Sequence, residues 1–93
     1  MLIEKQFQKD DVVSLKLTSG EEIIAYYVNE NVFLSPLLLV MTQENNSLQG
    51  KVHFVPWLIG MDSNTPVKIN KEHILSIVQS NSNIKQQYIK ALS

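Results

Sequence analysis

The clearest pattern along the chain is a pair of apolar runs joined at a glycine. In the first run, Val13, Leu15 and Leu17 alternate with polar residues, which is the period of a strand with one buried face. The second run, 23–28, is rich in β-branched and aromatic residues, which suit a pleated surface. Gly20 lies at the corner, where a tight turn needs a positive φ. The pattern predicts a β-hairpin, and because an isolated hairpin is unstable in water, other segments must cover it.

Three further apolar runs follow, and proline interrupts two of them. The first two are Val32–Thr42, which contains Pro36, and Lys51–Met61, which contains Pro56. Proline cannot donate a ladder hydrogen bond, so each marks a bend, a bulge or an edge strand. The third run, His73–Val78, predicts a short last strand. Two long strands broken by proline favour strongly bent strands in a small barrel over a flat sheet.

The last apolar pattern has the period of a helix. Apolar residues recur on one helical face at Ile84, Tyr88, Ala91 and Leu92. The run Ser80–Asn83 offers several N-cap candidates, and Asn83 with Gln86 has the spacing of a capping box. We therefore expect one all-β domain over residues 1–93. Five bent antiparallel strands would form a small barrel at about 8–79, with a C-terminal amphipathic helix at about 82–92.

Composition narrows the classes of partner. The formal net charge is −1, and all eight basic residues are lysine. Arginine is the usual residue for bidentate phosphate contacts, so any nucleic-acid binding would use lysine, amide side chains and aromatic rings. The start of the chain lacks the apolar core of a signal peptide, and the longest apolar run is too short for a membrane span. We expect a cytoplasmic protein with no membrane partner.

No pattern in the chain indicates catalysis or a bound cofactor. There is no cysteine and there are two histidines, which is too few for a convincing zinc site. The paired carboxylates Asp10–Asp11 and Glu21–Glu22 lie at a strand start and a hairpin tip, and neither pair has the spacing of an acid/base dyad. Phosphate-binding loops, dinucleotide turns and nucleophile motifs are absent from the sequence. We expect no enzyme, no cofactor and no metal.

Taken together, the runs resemble the Sm-like family (Sm, LSm and Hfq proteins). The alternation and glycine at 13–23 resemble the first Sm motif, and Asn31–Leu34 resembles its closing segment. Ile69–Val78 resembles the second motif. Within it, Lys71 and His73 are similar to the lysine–histidine stretch of Hfq, with a glutamate inserted between them.

Departures from the family pattern make this a divergent resemblance. Ala25 stands where a glycine is usual, and the loop before Val32 is short and lacks the aspartate that usually precedes Asn31. The helix comes last, whereas in the family it usually comes first. The chain is similar in character to small Sm-like proteins carried by bacteriophages, which implies a host cytoplasm if the origin is viral.

The resemblance implies a closed homo-oligomeric ring in which the fourth strand of one subunit pairs with the fifth strand of the next. Ring closure removes open sheet edges, and we expect roughly five to seven copies. The expected interface residues are Phe54, Trp57, Ile74, Ser76 and Val78. The expected contacts to single-stranded RNA or DNA are Asn29, Asn31, Lys71 and His73, through phosphate, stacking and base-edge hydrogen bonds.

Each of these residues also has a simpler interpretation. Lys71 can be a solvated lysine, His73 can begin a strand without a ligand, and asparagine in a turn often binds only its own backbone. The leading hypothesis is a ring that binds single-stranded RNA as a chaperone or scaffold in RNA processing. Its rival is a structural or protein-interaction ring without nucleic acid, which the missing arginine favours. A monomeric SH3-like adaptor is the third hypothesis.

Overall fold

The computed structural model describes residues 7–43, 50–58, 60 and 65–93. Its elements in chain order are β1 (Val12–Leu17), β2 (Glu22–Asn29), β3 (Val32–Gln43), β4 (Gly50–Pro56), β5 (Val67–Lys68), a 3₁₀ turn (Lys71–His73), β6 (Ile74–Gln79) and α1 (Ser82–Leu92). The prediction of a mainly β domain with a C-terminal helix is confirmed.

The strands form one antiparallel sheet in the order β4-β3-β2-β1-β6, and the two-residue strand β5 pairs with the start of β3. The predicted hairpin is present as β1 and β2, with Gly20 at φ 97° in the turn. β4 and β6 lie at the two ends of the sheet path and do not pair with each other. The sheet is therefore open along this path.

The run predicted as one strand over Lys51–Met61 is shorter than expected. β4 ends at Pro56, and the chain bends at Trp57–Leu58. Proline at the end of an edge strand leaves no missing ladder bond inside the sheet. The last part of the predicted strand, at 59 and 61, lies outside the described residues. The sequence pattern also missed β5, because two residues are too few to show a period.

A bulge interrupts β3 at the proline, which is one of the three alternatives that the sequence pattern left open. Ile24 is opposite Leu37 and Tyr26 is opposite Leu34, so β3 carries one more residue than β2 between these pairs. Ser35 adopts φ 52° at this point, a left-handed conformation that is uncommon for a residue with a side chain. The extra residue bends the strand and changes which side chains face each side of the sheet.

The two faces of the sheet bury two separate apolar clusters. The larger cluster comprises Val13, Leu15, Leu17, Ile23, Ala25, Phe33 and Ile69. Half-buried side chains, including Phe7, Trp57 and Val67, pack against this cluster, and none of its members in the described residues comes from α1. The smaller cluster on the opposite face comprises Val12, Ile24 and Tyr88, the last contributed by α1.

Helix α1 has the predicted bounds, and its N-cap is one of the candidates in the run Ser80–Asn83. The side chain of Asn81 accepts a hydrogen bond from the Ile84 backbone N–H at 2.8 Å, so Asn81 is the cap. The capping box expected for Asn83 and Gln86 is wrong, since Asn83 already lies inside the helix and accepts from the Gln87 amide instead. Of the helices in the described residues, none is long and apolar enough to cross a bilayer.

Candidate functional site

The turn between β2 and β3 and the segment before β6 meet at one end of the sheet. The Ile69 backbone N–H donates to the Asn31 carbonyl at 2.8 Å, and the Lys71 ammonium lies 3.3 Å from the Glu30 carboxylate. The structure therefore places three of the four predicted nucleic-acid residues, Asn29, Asn31 and Lys71, in one cluster, which we call the turn cluster. It also adds Glu30, which the sequence interpretation left out.

Within the turn cluster, the two asparagines differ in their free hydrogen-bonding capacity. The Asn29 side-chain carbonyl accepts from the Asn31 backbone N–H at 2.9 Å, which is the self-capping expected of a turn asparagine. The Asn31 side chain makes no hydrogen bond to any of the described residues. Asn31 is therefore the better placed of the two to contact a base edge.

The charge of the turn cluster is balanced. The Lys71 and Glu30 side chains are 74% and 65% exposed. An ion pair this exposed contributes about 0–1 kcal/mol, so Lys71 can leave Glu30 at little cost. The carboxylate still lowers the local positive potential that would attract a phosphate. The cluster thus has a mobile cation and one free amide, but no excess of positive charge.

His73, the fourth predicted residue, lies on a different side of the 3₁₀ turn. Its carbonyl accepts from the Thr18 backbone N–H at 2.8 Å, and the residue is exposed beside the turn between β1 and β2. Lys71 instead faces the turn between β2 and β3. The lysine and the histidine thus lie beside different turns of the protomer.

A cavity of about 420 Å³ opens where His73 lies. It is bounded by the β1–β2 turn, by Trp57 after β4, and by residues 68–70 and 73. The Trp57 indole N–H donates to the Glu21 carboxylate at 2.9 Å. This pairing joins residues 36 positions apart in the chain, so no local sequence pattern indicates it. The sequence interpretation placed Glu21 at a hairpin tip without a binding role and Trp57 at the subunit interface.

The five predicted interface residues divide into two groups. Ser76 and Val78 of β6 are exposed, and Val78 is 57% exposed. Phe54 packs near Tyr88 under the helix, while Trp57 and Ile74 pack against the larger apolar cluster. For Phe54, Trp57 and Ile74, only the solvent-exposed part of each side chain could contact another subunit.

The described residues contain no group of three histidine, aspartate or glutamate side chains arranged to hold a metal ion. His53 lies on the edge strand β4, where its Nε2 is 3.0 Å from the Thr42 hydroxyl. Comparison with models of known protein families and with curated protein sequences finds no match for this chain. Functional inference therefore depends on the geometry of the sheet edges, the turn cluster and the cavity.

Proposed function

We propose that the chain assembles into a homo-oligomeric Sm-like ring and that this ring binds single-stranded RNA as a chaperone or scaffold. The observation that carries the proposal is the strand order, which leaves β4 and β6 at opposite ends of the sheet. In Sm-like rings, the corresponding fourth and last strands pair between neighbouring subunits. In this proposal the open sheet curves into a Sm-like barrel around the larger apolar cluster.

Exposed apolar side chains on both edge strands support this assembly. Val55 of β4 is 37% exposed, and Leu75 and Val78 of β6 are 66% and 57% exposed. Edge strands that carry apolar side chains and unpaired backbone groups tend to pair with another chain. Pairing β4 of one copy with β6 of the next would cover all three residues and satisfy both edges.

The turn cluster supports nucleic-acid binding by such a ring. One copy offers a single lysine and one free amide, which is too little for tight binding. A ring repeats the pair around its axis, and multivalent contacts to one strand raise the overall affinity without any new contact type. Assembly and RNA binding are thus linked in this proposal, because the monomer lacks the charge to bind well alone.

A structural ring without nucleic acid is the second candidate. The Lys71–Glu30 ion pair favours it, since each lysine that the ring would present to phosphate already has a carboxylate beside it. The net charge of −1 per chain acts in the same direction. The two candidates share the assembly and differ only at the turn cluster.

Assembly is tested by light scattering coupled to size-exclusion chromatography. We expect the wild-type chain to elute at several times its monomer mass of 10.6 kDa and Val78→Lys to shift toward the monomer. Ile89→Lys is the matched control, because Ile89 is 44% exposed and belongs to α1 and not to either edge strand. A wild-type monomer at high concentration, or equal effects of the two variants, would reject the ring.

Nucleic-acid binding is tested by fluorescence anisotropy with labelled oligo-U and oligo-A at two salt concentrations. We expect binding that weakens with salt and that Lys71→Ala reduces about tenfold or more, since every subunit loses a phosphate contact. Lys90→Ala in the last turn of α1 is the matched control with the same loss of charge. No binding at low salt, or equal losses in both variants, would favour the structural ring.

A further inference from the structure

The cavity beside the β1–β2 turn has the composition of a small-ligand site. Its floor is apolar, formed by Leu17 and Ile69, which are 4% and 5% exposed. One wall is the half-buried indole of Trp57. A volume of about 420 Å³ falls within the range of roughly 300–1,000 Å³ that is usual for ligand pockets. An apolar floor and an aromatic wall favour a flat ring as the occupant.

Hydrogen bonds within the protomer hold Trp57 in place before any ligand arrives. The Glu21 carboxylate accepts from the Trp57 indole at 2.9 Å and from the Ser19 hydroxyl at 2.7 Å, one bond to each oxygen. An ionised carboxylate has about four acceptor positions, so Glu21 can still accept from a ligand N–H. A wall fixed in advance loses little conformational entropy when a ring stacks on it.

Three polar side chains around the cavity have unused hydrogen-bonding capacity. Lys68, Asn70 and His73 are exposed, and none of these side chains bonds to another described residue. They supply a cation, an amide with both donor and acceptor, and an imidazole. Together with Glu21, the cavity therefore carries opposite charges at different positions. A simple anion would meet Glu21, and a simple cation would meet Lys68.

We propose that this cavity binds a nucleotide. The base stacks on the Trp57 indole, its edge exchanges hydrogen bonds with Asn70 and Glu21, and its phosphate lies on Lys68. A nucleotide matches the opposite charges because it has N–H donors on the base and an anion at its other end. The nucleotide is either free or one unit of a single strand, and the second case rests on the proposed RNA-binding function. The site is separate from the turn cluster.

Trp57 makes the proposal directly measurable, because it is the only tryptophan in the chain. Its fluorescence, excited at the red edge of indole absorption to avoid tyrosine and nucleotide absorption, reports from the cavity wall. We expect saturable quenching by at least one of AMP, GMP, CMP and UMP, with a Kd on the order of 0.1–1 mM. Ribose 5-phosphate, which lacks a base, should leave the fluorescence unchanged.

Substitutions at two exposed residues of the cavity test where the nucleotide binds. Asn70→Ala and Lys68→Ala should each weaken nucleotide binding about fivefold or more, through loss of a base contact and a phosphate contact. Lys85→Ala is the matched control, since it removes a lysine from an exposed position on α1. The proposal is rejected by the absence of saturable quenching with mononucleotides and with short oligonucleotides alike, by equal quenching with ribose 5-phosphate, or by unchanged affinity in both cavity variants.

Short oligonucleotides distinguish a strand from a free nucleotide and separate this proposal from the preceding one. Saturable quenching by an oligonucleotide but by no mononucleotide supports the cavity as a site for one unit of a strand. Nucleotide quenching that survives Lys71→Ala while oligonucleotide binding is lost supports two separate sites. Nucleotide quenching without any oligonucleotide binding rejects RNA binding and leaves the cavity as a site for a free nucleotide.

Discussion

The hydroxyl of Tyr88 joins helix α1 to the bulge in β3, and its removal should destabilise the fold by a measurable amount. The Tyr88 side chain is fully buried, and its hydroxyl donates to the Ser35 carbonyl at 2.6 Å. The ring packs edge-on against Tyr26, with centroids 5.3 Å apart. Tyr88→Phe keeps this packing and removes only the hydrogen bond, which at a buried carbonyl should cost about 1–2 kcal/mol of unfolding free energy.

Removing the whole aromatic side chain of Tyr88 separates the contribution of the hydrogen bond from that of the packing. Tyr88→Ala also removes the contacts to Tyr26 and Phe54, and we expect a total loss of about 3–5 kcal/mol, as for other buried aromatic residues. Urea unfolding followed by circular dichroism gives both values, and an unchanged m-value for Tyr88→Phe would show that the native and unfolded states are otherwise alike.

Tyr27→Phe is the matched control for the hydroxyl. Tyr27 follows Tyr26 in β2, and its side chain is half-buried against Phe33. The Tyr27 hydroxyl makes no hydrogen bond to the described residues. The same chemical change should alter stability there by less than about 0.5 kcal/mol. Equal effects of Tyr88→Phe and Tyr27→Phe, or no effect of Tyr88→Phe, would refute the role of the Ser35 hydrogen bond.

The pH dependence of the Tyr88 effect provides a second check. Burial, together with the neighbouring Tyr26, raises the pKa of the Tyr88 hydroxyl above its ordinary value. Above about pH 10, the unfolded chain releases this proton while the folded chain keeps it, so the wild type loses up to about 1.4 kcal/mol per pH unit. Tyr88→Phe cannot show this loss. The stability difference between wild type and Tyr88→Phe should therefore be constant below about pH 9 and shrink above about pH 10.

Two further predictions concern local backbone conformation and are measured by the same urea unfolding. Gly20→Ala should cost about 1–2 kcal/mol, because Gly20 has φ 97° and a Cβ there is strained even though the surrounding space is open; an unchanged midpoint would mean that the turn rearranges. Asn81→Ala should cost about 1 kcal/mol by removing the cap of α1, whereas Asn83→Ala, inside the helix, should cost much less.

The elements that could be predicted from the sequence are those with a local period. The alternation of Val13, Leu15 and Leu17 located β1, and the helical spacing of Ile84 and Tyr88 located α1. Pro36 indicated a bend, a bulge or an edge strand, because proline has no backbone donor for the ladder, and the structure has a bulge there. These signals depend on neighbouring residues only, so they can be interpreted without knowledge of the tertiary structure.

The parts that could not be predicted depend on contacts between distant residues. The Trp57–Glu21 hydrogen bond, which fixes one wall of the cavity, joins the end of an edge strand to the β1–β2 turn. The helix begins after Asn81 and not after Asn83. Since Ser80, Asn81, Ser82 and Asn83 are all residue types that cap helices, the local sequence does not determine which of them is the cap. The side of the 3₁₀ turn on which His73 lies depends on its bond to Thr18.

The 3₁₀ turn connects the two proposed sites, and this affects how either can be tested. Lys71 pairs with Glu30 in the turn cluster, whereas Asn70 and His73 line the cavity, so residues within one short segment contribute to different surfaces. A combined Lys71 and His73 substitution, the obvious test of a lysine–histidine motif, would alter both sites at once and could not assign a loss of binding to either. Single substitutions at Lys71 and Asn70, scored separately by oligonucleotide anisotropy and by Trp57 fluorescence, keep the two contributions apart. If the two sites were instead one, each substitution would weaken both signals by the same factor.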